Sequence, residues 1–327
     1  MSCKKPFVRG SVEFGCGQCL SCKIVKKKVW KHRILLEAKM HNENSFLTLT
    51  YSDDKIPKGG TLDVQDINRF MHKYRKNLER KGFGKIRFFL VGEYGDQTER
   101  PHYHAAIFGV GCRGNNPRYY NGKKCNCEIC EITERTWGNG FIGIGTLEND
   151  SAAYIAGYVQ KTVKVDGKAV MGLTNKKDPL VQKWLKGRQP EFTRMSRRPG
   201  IGTDAVNYIV DALTTEHGSD FIEAKEDVPD ILTHGGQVYP VGRFLKEKIR
   251  KQYGFKEKKT IRGNKSYSPE NTMLKLSEKK IQEQQTIHQE ANKAKKNPYK
   301  YEKEVKQQKY KNKTAKTQIY ARAKGEI

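Results

Sequence analysis

Two histidines one residue apart, His102 and His104, lie in the run Pro101-His102-Tyr103-His104-Ala105-Ala106-Ile107-Phe108-Gly109, which reads as a β-strand. Side chains alternate faces along a strand, so both imidazoles project from one face, with Cα atoms about 6.5 Å apart. At that separation they can converge on one cation or one phosphate. Alone, the pair reads equally as zinc ligands, a phosphate clamp or satisfied core residues. The preceding strand-like run, Ile86 to Glu93, ends on a carboxylate. If the two strands are neighbours, Glu93 joins the imidazoles. That shell suits a divalent ion with positions left open for water or phosphate oxygen; taken alone, Glu93 is an ordinary surface carboxylate at a strand end. Downstream, Tyr154 and Tyr158 are spaced i, i+4 on a helix begun by Asp150 or Ser151, with Lys161 one turn further on. A phenol with a pKa near 10 is a weak nucleophile at neutral pH. It becomes competent on a phosphate polarised by a metal, and Lys161 could neutralise the phosphate or the phenolate. The plain alternative is that both tyrosines are half-buried packing residues.

The eight cysteines fall into two groups. Cys16, Cys19 and Cys22 form two consecutive C-x-x-C spacings, and Cys3 completes a set of four. Cys112, Cys125, Cys127 and Cys130 form a second set. Such spacings let thiolates share one tetrahedral ion, so structural Zn²⁺ is expected at one or both. The alternative is free thiols in a reducing cell.

These groups need elements to position them. A helix with a basic polar face is expected over 23–40, with Ile24, Trp30, Ile34 and Leu35 as its apolar positions. A strand follows over 45–51, with Leu47 and Leu49 on one face and Phe46, Thr48 and Thr50 on the other. A second helix is expected over 61–80, with Leu62, Ile67, Phe70, Met71, Tyr74 and Leu78 as its apolar stripe. Residues 111–132 read as an irregular insert. Trp137 to Leu147 carries Gly138, Gly140, Gly143 and Gly145 and reads as a hairpin or a strand with close backbone approach. Beyond it come a mixed stretch over 165–190 with Trp184 in the core, helices over 207–214 and 241–255, and a surface excursion over 221–239 with an acidic patch. Residues 256–327 are rich in Lys, Gln, Glu, Asn and Thr, with too few apolar residues for a core; a mobile tail or solvated helix is expected.

The chain has 327 residues and a formal net charge of +27, from 63 Lys+Arg against 36 Asp+Glu. A polyanion, above all nucleic acid, is the partner such an excess fits. The basic run Arg194 to Arg198 adds phosphate-holding charge, or is simply a solvated loop. The Lys-rich tail would grip DNA through counterion release, engage a host factor or only solubilise. No apolar run is long enough to span a bilayer and no signal peptide is evident, so a cytosolic protein without a membrane partner is expected.

Taken together, the motifs resemble a known family. PHYHAAIFG is similar to the His-hydrophobic-His (HUH) motif of rolling-circle replication initiators. FLTLTY, 46–51, resembles their first motif, and YIAGYVQK, 154–161, their third motif in the two-tyrosine subclass. MSRRPGIG, 195–202, resembles a further segment of one branch, the initiators of microviruses of the gokushovirus type. The resemblance covers about residues 14 to 210. It implies an α+β fold: a central antiparallel sheet of about five strands flanked by helices, with Cys-rich insertions and a basic C-terminal tail. The expected organisation is a Cys-containing basic segment over 1–40, a nicking and joining domain over 41–215 with its insert at 111–132, a peripheral extension over 216–255 and the tail over 256–327. The resemblance further implies Mg²⁺ or Mn²⁺ on His102, His104 and Glu93, and attack by Tyr154 or Tyr158 on origin DNA. A 5′-phosphotyrosine and a free 3′-hydroxyl would form, and the second tyrosine would later help close a circle. Lys161 matches the family's lysine. Thr48, Thr50, Arg100, Arg194, Arg197 and Arg198 are the expected DNA contacts. Single-stranded origin DNA and a host helicase and polymerase are the implied partners, in the cytoplasm of an infected bacterium. Two rival readings stand beside it: a plasmid initiator or relaxase of the same superfamily, and a non-enzymatic zinc-containing nucleic-acid-binding protein.

Overall fold

The structure is a computed structural model; it describes residues 3–9, 12–112, 125, 127–158, 162–165, 168–171, 179–215, 222, 227–255, 257–259 and 265–267, with scattered positions between 286 and 312. The chain forms two compact units, one of residues 27–205 and one of residues 1–26 with 206–327.

The first unit is built on five antiparallel strands. β3 is Asn44–Tyr51, β4 Arg87–Tyr94, β5 Pro101–Phe108, β6 Gly140–Thr146 and β9 Phe192–Met195, in the order β6-β3-β5-β4-β9. Ahead of them in the chain, β1 (Phe7–Arg9) and β2 (Val12–Phe14) form a hairpin, and β7 (Thr162–Val165) and β8 (Lys168–Met171) form another between β6 and β9. β4 and β5 are buried along nearly their whole length, because helices cover both faces of the sheet. On one face, Leu47, Leu49, Leu90, Tyr103, Ile142 and Ile144 pack on α2 (Val64–Arg80) and α3 (Glu128–Trp137). On the other, Phe89, Val91, Ala106 and Phe108 pack on Ile34 of α1 (Leu20–Lys39) and on Ala152, Ile155 and Ala156 of α4 (Asn149–Gly157).

Several element boundaries differ from those read in the sequence, each for a local reason. α2 starts at Val64, not Thr61, because the Asp63 side chain caps it and accepts from the Gln65 and Asp66 N–H groups. Leu62 is buried ahead of the helix, its N–H donating to the Tyr94 hydroxyl. The insert is irregular only as far as Cys127; from Glu128 it is α3, whose buried Ile129, Ile132 and Trp137 give it an apolar face. α4 is capped by Glu148, which forms a capping box with Ser151, rather than by Asp150 or Ser151. The glycine-rich stretch is the edge strand β6. At Gly140 (φ +147°) an added Cβ would lie 2.2 Å from the Ser52 nitrogen, so only glycine lets β6 close on β3.

The segment 195–202 is docked by ionic groups far away in sequence. Buried Glu37 of α1 takes an ion pair from Arg87 and accepts from the Gly202 N–H at 2.6 Å, while Arg33 Nε donates to the Ile201 carbonyl at 2.9 Å. Burial pushes the Glu37 carboxyl up, but hydrogen bonds from His41, Arg87 and Gly202 outweigh it and hold the group below its ordinary range. A carboxyl so depressed adds stability above its unfolded pKa and loses it as the pH falls through the folded value. Glu37→Gln should therefore cost about 3–5 kcal/mol at neutral pH, since it leaves two guanidinium groups uncompensated. In urea melts the gap to wild type should be full above about pH 5 and narrow below about pH 4. Equal stability at pH 7 would refute this reading of the segment.

In the same unit, α5 (Pro179–Leu185) places Val181 and Leu185 in the core, with Trp184 packed against it as expected. The second unit holds the β1–β2 hairpin, α6 (Ala205–Leu213), the hairpin of β10 (Ile231–His234) and β11 (Gln237–Pro240), α7 (Gly242–Tyr253), and a hairpin of β12 (Glu257–Lys259) and β13 (Lys265–Tyr267). In the 221–239 stretch, read as an acidic surface excursion, Asp227 is instead buried. It pairs with Lys246 at 2.7 Å and accepts twice from Arg250, at 2.7 and 2.6 Å. Most of the tail expected over 256–327 lies outside the described residues; its described positions from 286 onward are helical. No helix among the described residues is long and apolar enough to cross a membrane.

Candidate metal and nucleophile site

The period of two puts His102 and His104 on the face of the sheet covered by α1 and α4. Register then assembles the site in rows. Glu93, His102, Thr50 and Phe141 face one another across β4, β5, β3 and β6, and Val91, His104, Thr48 and Gly143 form the next row. Both imidazoles aim Nε2 at one carboxylate oxygen: Glu93 Oε1 lies 2.5 Å from His102 and 2.9 Å from His104. Glu93 is almost fully buried, and Phe46 stacks on the His104 ring at 5.4 Å.

The outer ring nitrogens are held by the sheet. His102 Nδ1 donates to the Arg100 carbonyl at 3.0 Å, so its Nε2 carries the lone pair. His104 Nδ1 meets the Thr48 hydroxyl at 3.0 Å. Thr48, expected as a DNA contact, thus orients a histidine, as outer partners of metal-ligating imidazoles do. A lone pair on His102 Nε2 and a carboxylate oxygen cannot share a 2.5 Å contact without a proton or a cation between them. The ligand atoms of Glu93, His102 and His104 all lie within 4.8 Å of one another. Octahedral Mg²⁺ with ligands at about 2.0–2.1 Å separates adjacent donors by about 3.0 Å. The three donors therefore fit a small, hard divalent ion. Burial pushes the Glu93 carboxyl up, but hydrogen bonds and charge from His102 and His104 outweigh it and hold it at about 2. The group is ionised wherever the protein would work.

Tyr154 meets this centre from α4. Its ring is nearly half exposed (48%), but its hydroxyl reaches inward, donating to Glu93 Oε1 at 3.0 Å and lying 3.5 Å from His104 Nε2. Burial, then the negative charge of Glu93, raise its pKa, so the phenol is held protonated. Tyr158, the residue that ends α4, stands edge-to-face against Tyr154 with ring centroids 5.4 Å apart. Lys161 lies outside the described residues.

The other expected contacts are distributed differently. Thr50 faces His102 across the strand pair. The Arg100 side chain is held on the rim by Asp53 and the Tyr51 carbonyl, both at 2.6 Å. Arg194 pairs with Leu90 and so lies on the opposite sheet face. Arg197 and Arg198 are exposed in the turn beyond β9, beside the Phe88 end of β4. Five residues of strand put that end about 17 Å from Glu93. The structure does not bring these three arginines to the site.

Three neighbours were not anticipated. Asp96 and the buried Glu191 are close enough for their charges to raise the Tyr154 pKa. The Lys27 ammonium lies 3.1 Å from where a Cβ on Gly157 would stand, so glycine leaves room for a cation beside the last turn of α4. A glycine between two tyrosines was the only sequence signal, and α1 and α4 meet only in the fold.

Both cysteine groups converge as well, each with its sulfur atoms within 4.8 Å of one another, and could hold metal ions. Cys112 Sγ lies 3.5, 3.5 and 3.7 Å from those of Cys125, Cys127 and Cys130. Cys3 and Cys19 are 3.8 Å apart, and N–H groups of Cys16 and Cys19 point at the sulfurs of Cys3 and Cys16, both at 3.3 Å.

Residues 44–163 match the family model of the replication-associated protein ORF2 type, a span that holds both histidines, Glu93 and both tyrosines. The chain is 29% identical over 195 residues to replication-associated protein VP4 of Bdellovibrio phage phiMH2K, covering 56% of this chain and 61% of that one. It is 30% identical over 192 residues to replication-associated protein ORF2 of Spiroplasma virus 4, covering 57% and 55%. It is 30% identical over 150 residues to replication-associated protein ORF4 of Chlamydia phage 1, covering 45% and 37%. The matched part thus spans at most about three-fifths of each relative's length. No solved structure matches the chain.

Proposed function

We propose, from the premise that residues 44–163 form a domain of the replication-associated ORF2 type, that this chain is the rolling-circle replication initiator of a small single-stranded DNA phage and nicks its origin through a tyrosine. The fold would be that of the HUH endonucleases, in the 41–215 domain. The observation that carries the reading is the placement of the Tyr154 hydroxyl 3.0 Å from the carboxylate oxygen that both histidines share. A nucleophile, three hard-ion ligands and a strongly basic chain are the parts such a reaction needs.

Glu93, His102 and His104 would hold Mg²⁺ or Mn²⁺, which supplies Lewis-acid polarisation of the scissile phosphate. The chain's own residues do the rest. Thr48 and the Arg100 carbonyl fix the imidazole rings. Glu93 and the Phe46 edge orient the Tyr154 phenol. Tyr154 Oη bonds to phosphorus and gives up its proton, while the P–O3′ bond breaks and the leaving 3′ oxygen takes up a proton. The product is a 5′-phosphotyrosine with a free 3′-hydroxyl, and the ester energy is kept for rejoining. Tyr158 takes the second cut, with Lys161 balancing charge. Thr50 and Arg100 line the strand's approach; Arg194, Arg197 and Arg198 would hold DNA only away from the centre. The partners are single-stranded origin DNA and a host helicase and polymerase, in the cytoplasm of the infected bacterium.

Protein incubated with Mn²⁺ and single-stranded origin DNA should give an SDS-resistant complex that EDTA abolishes. Absence of that complex with the correct origin, under every divalent ion tried, would overturn the reading. The non-enzymatic alternative would then stand.

The thiolate clusters suit a softer ion, Zn²⁺. Zn–S bonds of about 2.3 Å give S···S edges of about 3.8 Å in a tetrahedron, close to the observed 3.5–3.8 Å. Backbone N–H groups, that of Cys19 foremost, pull the Cys16 thiol down to about 6. The Cys127 N–H does most to lower Cys125. Elemental analysis should find two zinc ions per chain, and Cys127→Ser should lose one. Because Cys130 belongs to the core, that loss should lower the melting temperature by about 10 °C or more. Reduced protein that is zinc-free and equally stable would refute the assignment.

A further inference from the structure

The row that carries Glu93 and His102 does not stop at the ligands. Across β3 it continues to Thr50, and on the edge strand β6 it ends on Phe141. Phe141 therefore points from the catalytic face of the sheet, two strands from His102, or about 9.6 Å at normal strand spacing. It is 59% exposed, among the most exposed large apolar side chains described in the chain. The next two β6 residues on that face are Gly143 and Gly145. A Cβ added to Gly143 would touch only the Thr48 Cβ, at 3.7 Å, and one added to Gly145 would meet nothing within 4 Å. β6 thus offers, beside the ligands, one projecting aromatic ring followed by two positions of bare backbone.

Packing does not account for the ring. Ile142 and Ile144, which alternate with it, fill the α2–α3 core, so the strand is anchored without Phe141. Among the described residues no strand pairs with β6 beyond its outer edge, which leaves the ring open to a ligand. The chain's net charge of +27 makes nucleic acid the ligand favoured to arrive there.

We infer that Phe141 is a stacking platform for one nucleobase of the single strand beside the scissile phosphate, with Gly143 and Gly145 leaving room for the sugar-phosphate backbone. This rests on the nicking function proposed above. Stacking on an aromatic ring tolerates any base, so Phe141 is a positioning residue that sets the strand's register rather than reading its sequence. The ring holds the next nucleotide while the ligands hold the phosphate.

The test uses the full chain and origin oligonucleotides carrying 2-aminopurine at successive positions around the nick. Binding is read in EDTA, where no cleavage occurs, and nicking is read separately with Mn²⁺. For wild type, fluorescence should be quenched at one position near the nick. Phe141→Ala should lose that quenching, weaken binding about tenfold and raise KM by a similar factor, with kcat within about threefold. Phe141→Trp should retain all three properties. Because the side chain is exposed, the alanine variant keeps the core intact. Wild-type affinity in the alanine variant, or weakened binding with an unchanged quenching profile, would overturn the inference. A wild-type protein that binds and quenches but never forms an adduct would instead overturn the nicking function, so the two failures are distinct.

Discussion

Tyr154→Phe should abolish the first cleavage, lowering adduct formation by at least about 10⁴-fold, the scale on which removal of a nucleophile is felt. The change deletes one oxygen and leaves the ring, whose edge contacts with Phe46, His104 and Tyr158 persist. The fold and the ligands should be unaffected, so the loss reads chemistry alone. The expectation is specific to Tyr154 because it is this phenol that reaches the carboxylate oxygen shared by both histidines. Tyr158→Phe should still form the first adduct at a rate within about tenfold of wild type, yet fail to release circles, since the second cut would lack its nucleophile. Gel analysis of adducts and of joined product separates the two variants. Reversed phenotypes would assign the first cut to Tyr158.

Glu93→Gln is the second large effect. The carboxylate is almost fully buried between two imidazoles and a phenol, and it supplies the only formal negative charge of the ligand set. Glutamine keeps the shape and one acceptor oxygen but removes that charge. Mn²⁺ affinity should fall at least about 100-fold, beyond the loss typical of an outer-shell change, and nicking at saturating DNA should fall with it. Titration calorimetry with Mn²⁺ checks the binding term directly. Unaltered Mn²⁺ affinity would move the ion elsewhere.

How much of this was legible in the sequence depends on which contacts are local. The alternation of Leu47 and Leu49 with Thr48 and Thr50 settles which side chains share a face, and the same period places His102 and His104 together. Glu93 could be added because a short loop makes neighbouring strands of β4 and β5. The roles of Thr48 and Glu37 depend on the fold. The first needs the register of β3 against β5, and the second an ion pair with Arg87 across fifty positions of chain. The run Arg194 to Arg198 showed charge but not place: a strand-plus-turn puts one arginine on the wrong face and two at the far end of the sheet. α3 was hidden because its start lies among cysteines and glycine-rich polar residues, where apolar spacing is hard to see. Phe141 looked like one more residue of a glycine-punctuated strand until pairing set it in line with His102.

The most direct measurement is the mass of the DNA-linked peptide. After reaction with Mn²⁺ and origin single strand, digestion with nuclease and protease should leave a 5′-nucleotide esterified to Tyr154, and to Tyr158 in the Tyr154→Phe protein only where a second cut is forced. Nicked DNA with a free 5′-phosphate and no modified tyrosine, or a modified residue outside 154–158, would contradict the account.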